Sequence, residues 1–182
     1  KNKLIEFINP QKDVDGLCAH NIKGLWTNSS ETIIPATTRG ILTMLDHYKI
    51  EVSGKNIVVI GRSALVGRPT ATALLNKDAT VTLCHSFTKD LEYHTLDADI
   101  IISAAGRPRL ITESHVKPHH VIIDVGITIE EIPEVRAHGD VDFDSVSPIV
   151  DAISPVPGGV GPMTVASLFE NLIDAYKKRL AL

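Results

Sequence analysis

The sequence predicts an α/β fold in which a parallel sheet is covered by helices on both faces. Short, almost wholly apolar runs rich in β-branched residues recur along the chain, at Asn56–Ile60, Thr80–Cys84, Ile100–Ser103 and Val121–Asp124, with a weaker run at Ala152–Ser154. Segments with helical spacing lie between them. Continuous apolar strands that alternate with helices are typical of a parallel sheet buried on both faces, so the fold class is a Rossmann-type parallel sheet with flanking helices.

The helices are predicted in order along the chain. Apolar spacing predicts a helix over 37–48, with Thr37 or Thr38 as its N-cap. A helix over 69–76 has proline in its first turn, and short helices follow at 91–96 and 112–116. A long helix over 163–180 ends in basic residues, which suits the helix dipole. Residues 1–35 are predicted to be irregular, with an acidic turn at 12–16.

Composition and charge exclude several classes of protein. The net charge of −4, without a basic stripe, argues against binding of nucleic acid. Two cysteines are too few for a disulfide scaffold, and the histidines lack the spacing of a closed zinc site. The apolar runs are far shorter than the ~20 residues that span a bilayer, and we find no signal peptide. We therefore expect a cytoplasmic protein with no metal and no membrane segment.

The turn after the first strand predicts a phosphate-binding loop. The strand leads into Gly61, Arg62 and Ser63 and then into a helix, an order that presents backbone N–H groups and a helix dipole to a phosphate. Ser63 stands where the middle glycine of G-x-G-x-x-G belongs, and Gly67 comes one position late. An ordinary strand–helix turn therefore remains an alternative.

The end of the second strand predicts NADP in preference to NAD. NAD enzymes commonly place Asp or Glu there to bond the ribose hydroxyls, but this chain has Cys84, His85 and Ser86. Arg62 and the Ser86 hydroxyl would instead bind a 2′-phosphate. A helix cap is an equally good interpretation of Ser86.

Other polar and glycine-rich segments are weighed in the same way. Gly126 and Ile127 follow a strand at the sheet edge where ligands bind, although strands often end in glycine. The segment 155–164 has three prolines and three glycines and is predicted to line a site. Asp99 and Asp140 are interpreted as turn acids. His119 and His120 are expected to face solvent, and Cys84 to be a packed small hydrophobe.

Five motifs together resemble one enzyme family, the methylenetetrahydrofolate dehydrogenase/methenyltetrahydrofolate cyclohydrolases. They are Lys12–Gly16, Gly61–Pro69, Cys84–Ser86, Gly139–Val141 and Pro155–Thr164, in that order. The resemblance covers almost the whole chain and implies a folate domain and an NADP domain separated by a cleft. For this chain it implies the tail of an N-terminal α/β folate domain and a linker helix at 1–50, an NADP-binding Rossmann domain at 51–155, and at 156–182 a loop and a C-terminal helix that returns to the folate domain.

The resemblance also implies site residues. Gly61, Arg62, Ser63, Ser86 and Ile127 would contact NADP, with Thr37 near the nicotinamide and Thr164 at the start of the returning helix. Asp15 would bond the pterin of a tetrahydrofolate derivative, and Pro157, Gly158 and Gly159 would line the cleft. The family often has Pro-Cys-Thr-Pro where this chain has Pro-Ala-Thr-Thr at 35–38. No catalytic residue is implied here: the family's catalytic lysine lies upstream in a Tyr-x-x-x-Lys motif, and no tyrosine of this chain has a lysine four positions on.

The implied activity has two steps. Methylenetetrahydrofolate is oxidised by NADP to methenyltetrahydrofolate, which water then converts to formyltetrahydrofolate, as part of one-carbon metabolism. The resemblance also implies a homodimer through the Rossmann part, for which a weak strand near 139–141 could pair at a sheet edge. Residues 1–182 alone are expected to bind NADP without turnover. One alternative is a two-domain oxidoreductase similar to shikimate dehydrogenase, which leaves the 155–164 segment unexplained. The other is a non-catalytic dinucleotide-binding module, which has no need of Asp15.

Overall fold

Five parallel strands in the order β2-β1-β3-β4-β7 organise the chain. The computed structural model describes residue 5, residues 7–130 and residues 136–180. The sheet comprises β1 (Asn56–Ile60), β2 (Thr80–Cys84), β3 (Ile100–Ser103), β4 (Val121–Asp124) and β7 (Ala152–Ile153), and β5 (Thr128–Glu130) pairs with β6 (Arg136–His138) as an antiparallel hairpin. The predicted parallel sheet is confirmed, and its last strand is one residue shorter than expected.

The core lies on both faces of this sheet. Every residue of β3 and β4 is buried, and Ile57 pairs with Ile100 in the register between β1 and β3. Successive side chains alternate between two apolar clusters, so that Val59 joins one cluster and Val58 the other. Because burial of each such side chain contributes about 1.5–3 kcal/mol, these strands are apolar without alternation.

In the described part of the chain, six named helices and two 3₁₀ turns surround the sheet. They are α1 (Ala19–Trp26), α2 (Ala36–His47), α3 (Gly67–Leu75), α4 (Leu91–Leu96), α5 (Phe143–Val146) and α6 (Val160–Leu180), with 3₁₀ turns at Pro10–Lys12 and Glu113–His115. The predicted helix over 112–116 is only the second of these turns. Helix α1 lies in the segment that was predicted to be irregular. The sequence pattern misses this helix because the carboxylate at its start comes from a residue several positions upstream.

That carboxylate belongs to Asp13, which is buried. It accepts hydrogen bonds from the Cys18 amide (2.7 Å) and the Asn21 side chain (2.9 Å), at the start of α1. Burial alone would raise the pKa of Asp13, but these hydrogen bonds outweigh it and hold the pKa below its ordinary value. A local search for an N-cap misses this helix because Cys18, at the cap position, makes no side-chain cap.

Helix α2 begins differently from the prediction. Pro35 occupies its cap position, and neither threonine caps the helix. Thr38 is instead fully buried, and its hydroxyl shares a 3.1 Å hydrogen bond with the buried Thr70 hydroxyl of α3. Thr38 thus joins helices α2 and α3.

Helix α6 packs across α2. Its residue Asn171 is buried, donates to the carbonyl oxygens of Val14 (2.8 Å) and Ile34 (2.9 Å), and accepts from Arg39 of α2 (2.7 Å). Arg39 also forms ion pairs with Glu170 and Asp174 of α6. The predicted start of this helix at residue 163 is three residues late, because proline is tolerated in a first turn, where its missing N–H has no partner to lose.

Two expectations about polar segments are wrong. His120, expected in solvent, is fully buried: its Nδ1 accepts from the Lys117 amide (3.0 Å), which folds the ring beneath the start of β4. The segment 139–141, expected as a pairing edge, contains the buried Asp140 and Val141, and Val141 bridges to Ile111. His119 is exposed and Cys84 is buried, as expected.

Within the described ranges, none of the helices combines the length and the apolar content that crossing a bilayer requires.

Candidate functional site

The turn after β1 brings a helix start close to the ends of two strands. Gly61 has φ +111°, and a Cβ there would overlap the Ala104 carbonyl oxygen beyond β3. A Cβ on Gly67 would overlap the Gly61 carbonyl oxygen in turn. Only glycine fits either position, so the late glycine of the sequence motif allows α3 to begin directly against the turn.

Ser63 completes the turn. Its hydroxyl oxygen accepts from the amides of Val66 (3.1 Å) and Gly67 (3.3 Å), which secures the first turn of α3. A hydroxyl has one hydrogen in addition to its acceptor sites, so the Ser63 side chain can still donate to an anion. The turn therefore has the form expected of a phosphate loop.

A cavity of about 340 Å³ opens beside this turn. Its lining combines cationic, hydroxyl and apolar side chains and contains no carboxylate: Ile60, Gly61, Arg62, His85, Ser86, Thr88, Leu91, Ala105, Arg107 and Leu110. The cavity brings together three of the residues predicted for the cofactor, Gly61, Arg62 and Ser86. Its volume falls in the range of about 300–1,000 Å³ that small-molecule sites occupy.

The loop after β2 holds its shape through His85. The His85 amide donates to the Thr88 hydroxyl (2.9 Å), and Nδ1 of the ring accepts from the Phe87 amide (3.2 Å). In the neutral ring the hydrogen is therefore on Nε2. The Arg62 guanidinium lies 5.8 Å from the centre of the Phe87 ring, within the distance of a cation–π contact.

Ser86 is not the cap of the following helix. The N-cap of α4 is Asp90, whose carboxylate accepts from the Tyr93 amide at 3.3 Å. This favours the ligand-binding interpretation of Ser86 that the sequence left open.

Two buried carboxylates lie at the carboxyl edge of the sheet. Asp124 ends β4 and accepts from the amides of Gly126 (3.0 Å), Asp140 (3.0 Å) and Val141 (2.9 Å). Burial raises the pKa of Asp124 to about 6, although these amide hydrogen bonds oppose the shift. A Cβ on Gly126 would overlap the Asp140 carboxylate, so this glycine makes room for the acid pair.

Asp140 is an organising residue and not a turn acid. It is fully buried, and its carboxylate accepts from the Ser103 hydroxyl (3.0 Å) and from the amides of Ala105 (2.6 Å), Gly106 (3.2 Å) and Arg107 (2.7 Å). Sequence reasoning missed Asp140 and Arg107. The signal for Arg107 was its position just beyond the carboxyl end of β3, where open sheets bind ligands.

The remaining predicted residues lie outside the cavity lining. Thr164 donates a long hydrogen bond to Thr37 (3.4 Å), so these two are brought together. Ile127 and Pro157 are exposed. Gly158, with φ +105°, has open space at its Cβ position, whereas Gly159 is buried against the Pro155 carbonyl oxygen.

Asp15 lies in the turn that Asp13 stabilises. Its side chain is exposed at the surface, and partial desolvation together with the Asp13 charge raises its pKa. The chain turns at Gly16, with φ +73°. The turn therefore presents one acid to the surface while the other secures α1.

A larger cavity, of about 650 Å³, holds none of the predicted site residues. It is an apolar groove between α1, α3 and β2, with Leu25, Leu65 and Leu83 among its walls. The residues that the structure describes contain no cluster of His, Cys, Asp or Glu able to hold a metal ion.

Comparison with known proteins identifies relatives of this arrangement. The sequence model of the tetrahydrofolate dehydrogenase/cyclohydrolase NAD(P)-binding domain matches residues 35–180. The bifunctional protein FolD of Lactobacillus gasseri is 51% identical over 176 residues, which are 97% of this chain and 61% of that protein. The FolD protein of Wolinella succinogenes is 50% identical over 177 residues, with the same coverage.

Solved structures of related enzymes have the same fold as this chain. The bifunctional FolD enzyme of Campylobacter jejuni superposes with a TM-score of 0.94 at 45% identity, covering 98% of this chain and 63% of that one. The Trypanosoma brucei methylenetetrahydrofolate dehydrogenase-cyclohydrolase, a complex with NADP cofactor and inhibitor, gives 0.93 at 37% identity, covering 100% and 63%. The chain thus spans about three fifths of the length of these relatives. Because the match includes the sheet, the glycine turn and α6, the chain belongs to the tetrahydrofolate dehydrogenase/cyclohydrolase family and carries its NAD(P)-binding domain.

Proposed function

We propose that this chain is the NADP-binding part of an enzyme that oxidises methylenetetrahydrofolate to methenyltetrahydrofolate and hydrolyses that product to formyltetrahydrofolate. The observation that carries the proposal is the cavity beside the glycine turn, which Arg62 and Ser86 both line and whose lining contains no carboxylate. The names of the relatives and the NADP in the T. brucei complex support it.

The cavity fits the adenosine end of NADP. A 2′-phosphate is an anion, and Arg62, the Ser86 hydroxyl and Nε2 of His85 supply cationic and hydrogen-bond donors for it. Leu91 and Leu110 supply apolar surface for the adenine ring. A carboxylate here would repel the phosphate, which is the physical reason for the preference over NAD.

The other half of NADP would continue along the carboxyl edge of the sheet. The backbone at 61–63 would hold the pyrophosphate at the start of α3, and Ile127 would contact the cofactor beyond β4. Thr37 and Thr164, which lie together, would border the nicotinamide. NADP supplies the hydride acceptor when bound, and the role of these residues is to bind and orient it.

Asp15 would bond the pterin ring of the folate. Its turn is fixed from both sides, by the buried Asp13 and by the hydrogen bond from Asn171 to the Val14 carbonyl oxygen. A surface carboxylate on a fixed turn suits recognition of a heterocycle that presents N–H donors. Pro157, Gly158 and Gly159 would line the cleft beside it.

A cofactor-binding measurement tests the proposal. Arg62→Ala should weaken NADP binding roughly ten- to a hundredfold, since a charge-assisted hydrogen bond contributes ~1.5–3 kcal/mol, and should leave the Kd for NAD nearly unchanged. Arg68→Ala is the matched control, because Arg68 is exposed in the same segment but borders the apolar groove. Equal losses for both cofactors, or tighter NAD than NADP binding by the parent protein, would overturn the proposal.

We also propose a cytoplasmic homodimer formed through the nucleotide-binding part. The edge expected at 139–141 is buried, so the dimer would use the outer edge of β2, where Thr80, Thr82 and Leu83 are exposed. Sedimentation at micromolar concentration should give twice the monomer mass, and a monomer there ends this proposal.

A further inference from the structure

The segment that follows β3 is folded around a single carboxylate. The amides of three consecutive residues, Ala105, Gly106 and Arg107, donate to Asp140 at 2.6, 3.2 and 2.7 Å. The Ser103 hydroxyl at the end of β3 donates to the same group at 3.0 Å. Gly106 adopts φ +65°, which lets the three amides converge. We call this segment, residues 104–109, the β3 loop.

Asp140 is itself tied to the sheet. Its own amide donates to the Asp124 carboxylate at the end of β4 (3.0 Å), and its side chain is fully buried. The absence of a Cβ on Gly126 leaves the space that the Asp140 carboxylate occupies. The position of the β3 loop is therefore set by the ends of two neighbouring strands and not by the loop alone.

This anchoring places a second cationic residue at the cavity beside the glycine turn, which we call the nucleotide cavity. Arg107 lines the cavity together with Arg62. The two arginines come from segments that follow the adjacent strands β3 and β1. In the part of the chain that the structure describes, no ion pair engages either guanidinium, and the cavity lining has no carboxylate. Two unneutralised cations are available to one ligand.

A phosphate monoester suits this pair. It bears a charge of ≈ −1.5 to −2 near pH 7, so one guanidinium leaves part of the charge uncompensated. Each guanidinium offers donors that match phosphate oxygens. We propose that Arg107 binds the 2′-phosphate of NADP together with Arg62, and that Asp140 is the positioning residue that holds Arg107 there. This inference rests on the proposed NADP function.

Binding of nucleotide fragments tests the role of Arg107. Arg107→Ala should raise the Kd for NADP and for adenosine 2′,5′-bisphosphate about tenfold or more, and should leave the Kd for NAD and for ADP nearly unchanged. Arg109→Ala is the matched control, because Arg109 is an exposed arginine of the same loop that does not line the cavity. An unchanged Kd for NADP in Arg107→Ala, or equal losses in both arginine variants, overturns the assignment.

A double-mutant cycle tests the positioning role. If Asp140 acts through Arg107, Asp140→Asn should weaken NADP binding in the parent background and have little further effect in the Arg107→Ala background. Ser103→Ala removes one hydrogen bond to the same carboxylate. Combined with Arg107→Ala, it gives a second cycle that can be measured even if Asp140→Asn fails to fold. Additive losses in the Ser103 cycle, affecting NADP and NAD alike, would show a purely structural role and overturn the positioning claim.

The controls separate this inference from the proposed function. A parent protein that binds NADP no better than NAD contradicts both. A parent protein that prefers NADP and depends on Arg62, but not on Arg107, contradicts only the inference.

Discussion

Two buried residues at the ends of β4 respond to protons in opposite ways. His120 precedes the strand, and burial among neighbours that include His119 and Lys117 lowers its pKa to about 4. Within the described chain its Nε2 has no hydrogen-bond partner. Asp124 ends the strand, and burial raises its pKa to about 6. A proton therefore disfavours the folded state at one end of β4 and favours it at the other.

The signs give a prediction for the pH dependence of stability. The pKa of His120 in the folded state is depressed. Its contribution to the free energy of unfolding is therefore complete above about pH 6.5 and is lost as the pH falls towards about 4. The folded pKa of Asp124 is raised, so its contribution is complete below about pH 3.8 and is lost as the pH rises through about 6. We expect the two to offset, so that the free energy of unfolding from urea titrations changes little between pH 6.5 and 4.

His120→Gln should remove one side of this balance. In that variant the free energy of unfolding should rise as the pH falls from 6.5 to 4, by up to roughly 3 kcal/mol, since one pKa unit corresponds to about 1.4 kcal/mol. Asp124→Asn should show the reverse trend. A parent protein and a His120→Gln variant with the same pH profile would contradict the assignment of opposite signs.

The two acids of the 12–16 turn should separate stability from ligand binding. Asp13→Asn should lower the free energy of unfolding by about 1–3 kcal/mol, because it disturbs a buried acceptor of two hydrogen bonds. Asp15→Asn should change it by no more than about 0.5 kcal/mol, because the side chain is exposed. Thermal unfolding measures both. Affinity for a folate analogue should fall in Asp15→Asn, and an unchanged affinity contradicts the pterin role.

Among individual residues, the sequence identifies those site residues that lie next to a recognisable strand or turn. Gly61, Arg62 and Ser86 follow strand ends that the pattern of apolar residues marks, and all three line the cavity. The roles of Asp140 and Arg107 were not predicted, because their contact joins residues 33 positions apart in the sequence. Nothing near Asp140 in the sequence distinguishes a buried acceptor of backbone amides from a turn acid.

Among the elements, α6 reverses the usual distribution of polar and apolar residues. Four of its apolar residues lie at the surface: Val165, Leu168, Leu172 and Tyr176. The residues buried against the rest of the chain include Ser167 and Asn171. Helical periodicity predicts the helix from the sequence, but the buried face depends on hydrogen bonds to Val14 and Ile34, which periodicity does not encode.

Adjacent substitutions in α6 test this reversal. Asn171→Ala should lower the free energy of unfolding by about 1–3 kcal/mol, because it leaves two carbonyl oxygens and the Arg39 guanidinium without their partner. Leu172→Lys should change it by about 0.5 kcal/mol or less, since this leucine is 52% exposed. Urea titration measures the free energy of unfolding of both variants. A larger loss of this free energy in Leu172→Lys than in Asn171→Ala contradicts the packing described for α6.

For the whole molecule, the described contacts bring the first and last segments of the chain together. Arg39 and Asn171 tie α2, α6 and the 12–16 turn together, so that the proposed segments 1–50 and 156–182 meet beside the sheet of the proposed segment 51–155. We propose that the first two segments belong to the folate-binding side of the enzyme and the third to the NADP side.

The polypeptide of residues 1–182 should bind NADP and show no turnover. Proton transfer near the reacting carbon needs a group with a tuned pKa within hydrogen-bond reach of the substrate. The family resemblance assigns this role to the lysine of a Tyr-x-x-x-Lys motif, and residues 1–182 contain no such motif. Calorimetry should therefore detect NADP binding while a spectrophotometric assay with methylenetetrahydrofolate detects no rate. Measurable dehydrogenase or cyclohydrolase activity would show that these residues contain the catalytic group.

The hydrogen bonds of Asn171 also have a consequence for folding kinetics. They join residues 157 and 137 positions apart. Because closing such long loops costs chain entropy, we expect these contacts to form late in folding. Loss of an interaction that is absent from the transition state accelerates unfolding and leaves the refolding rate nearly unchanged. In a chevron plot, Asn171→Ala should therefore raise the unfolding limb and leave the folding limb in place, so this one side chain governs how long the native fold persists and not how quickly it forms.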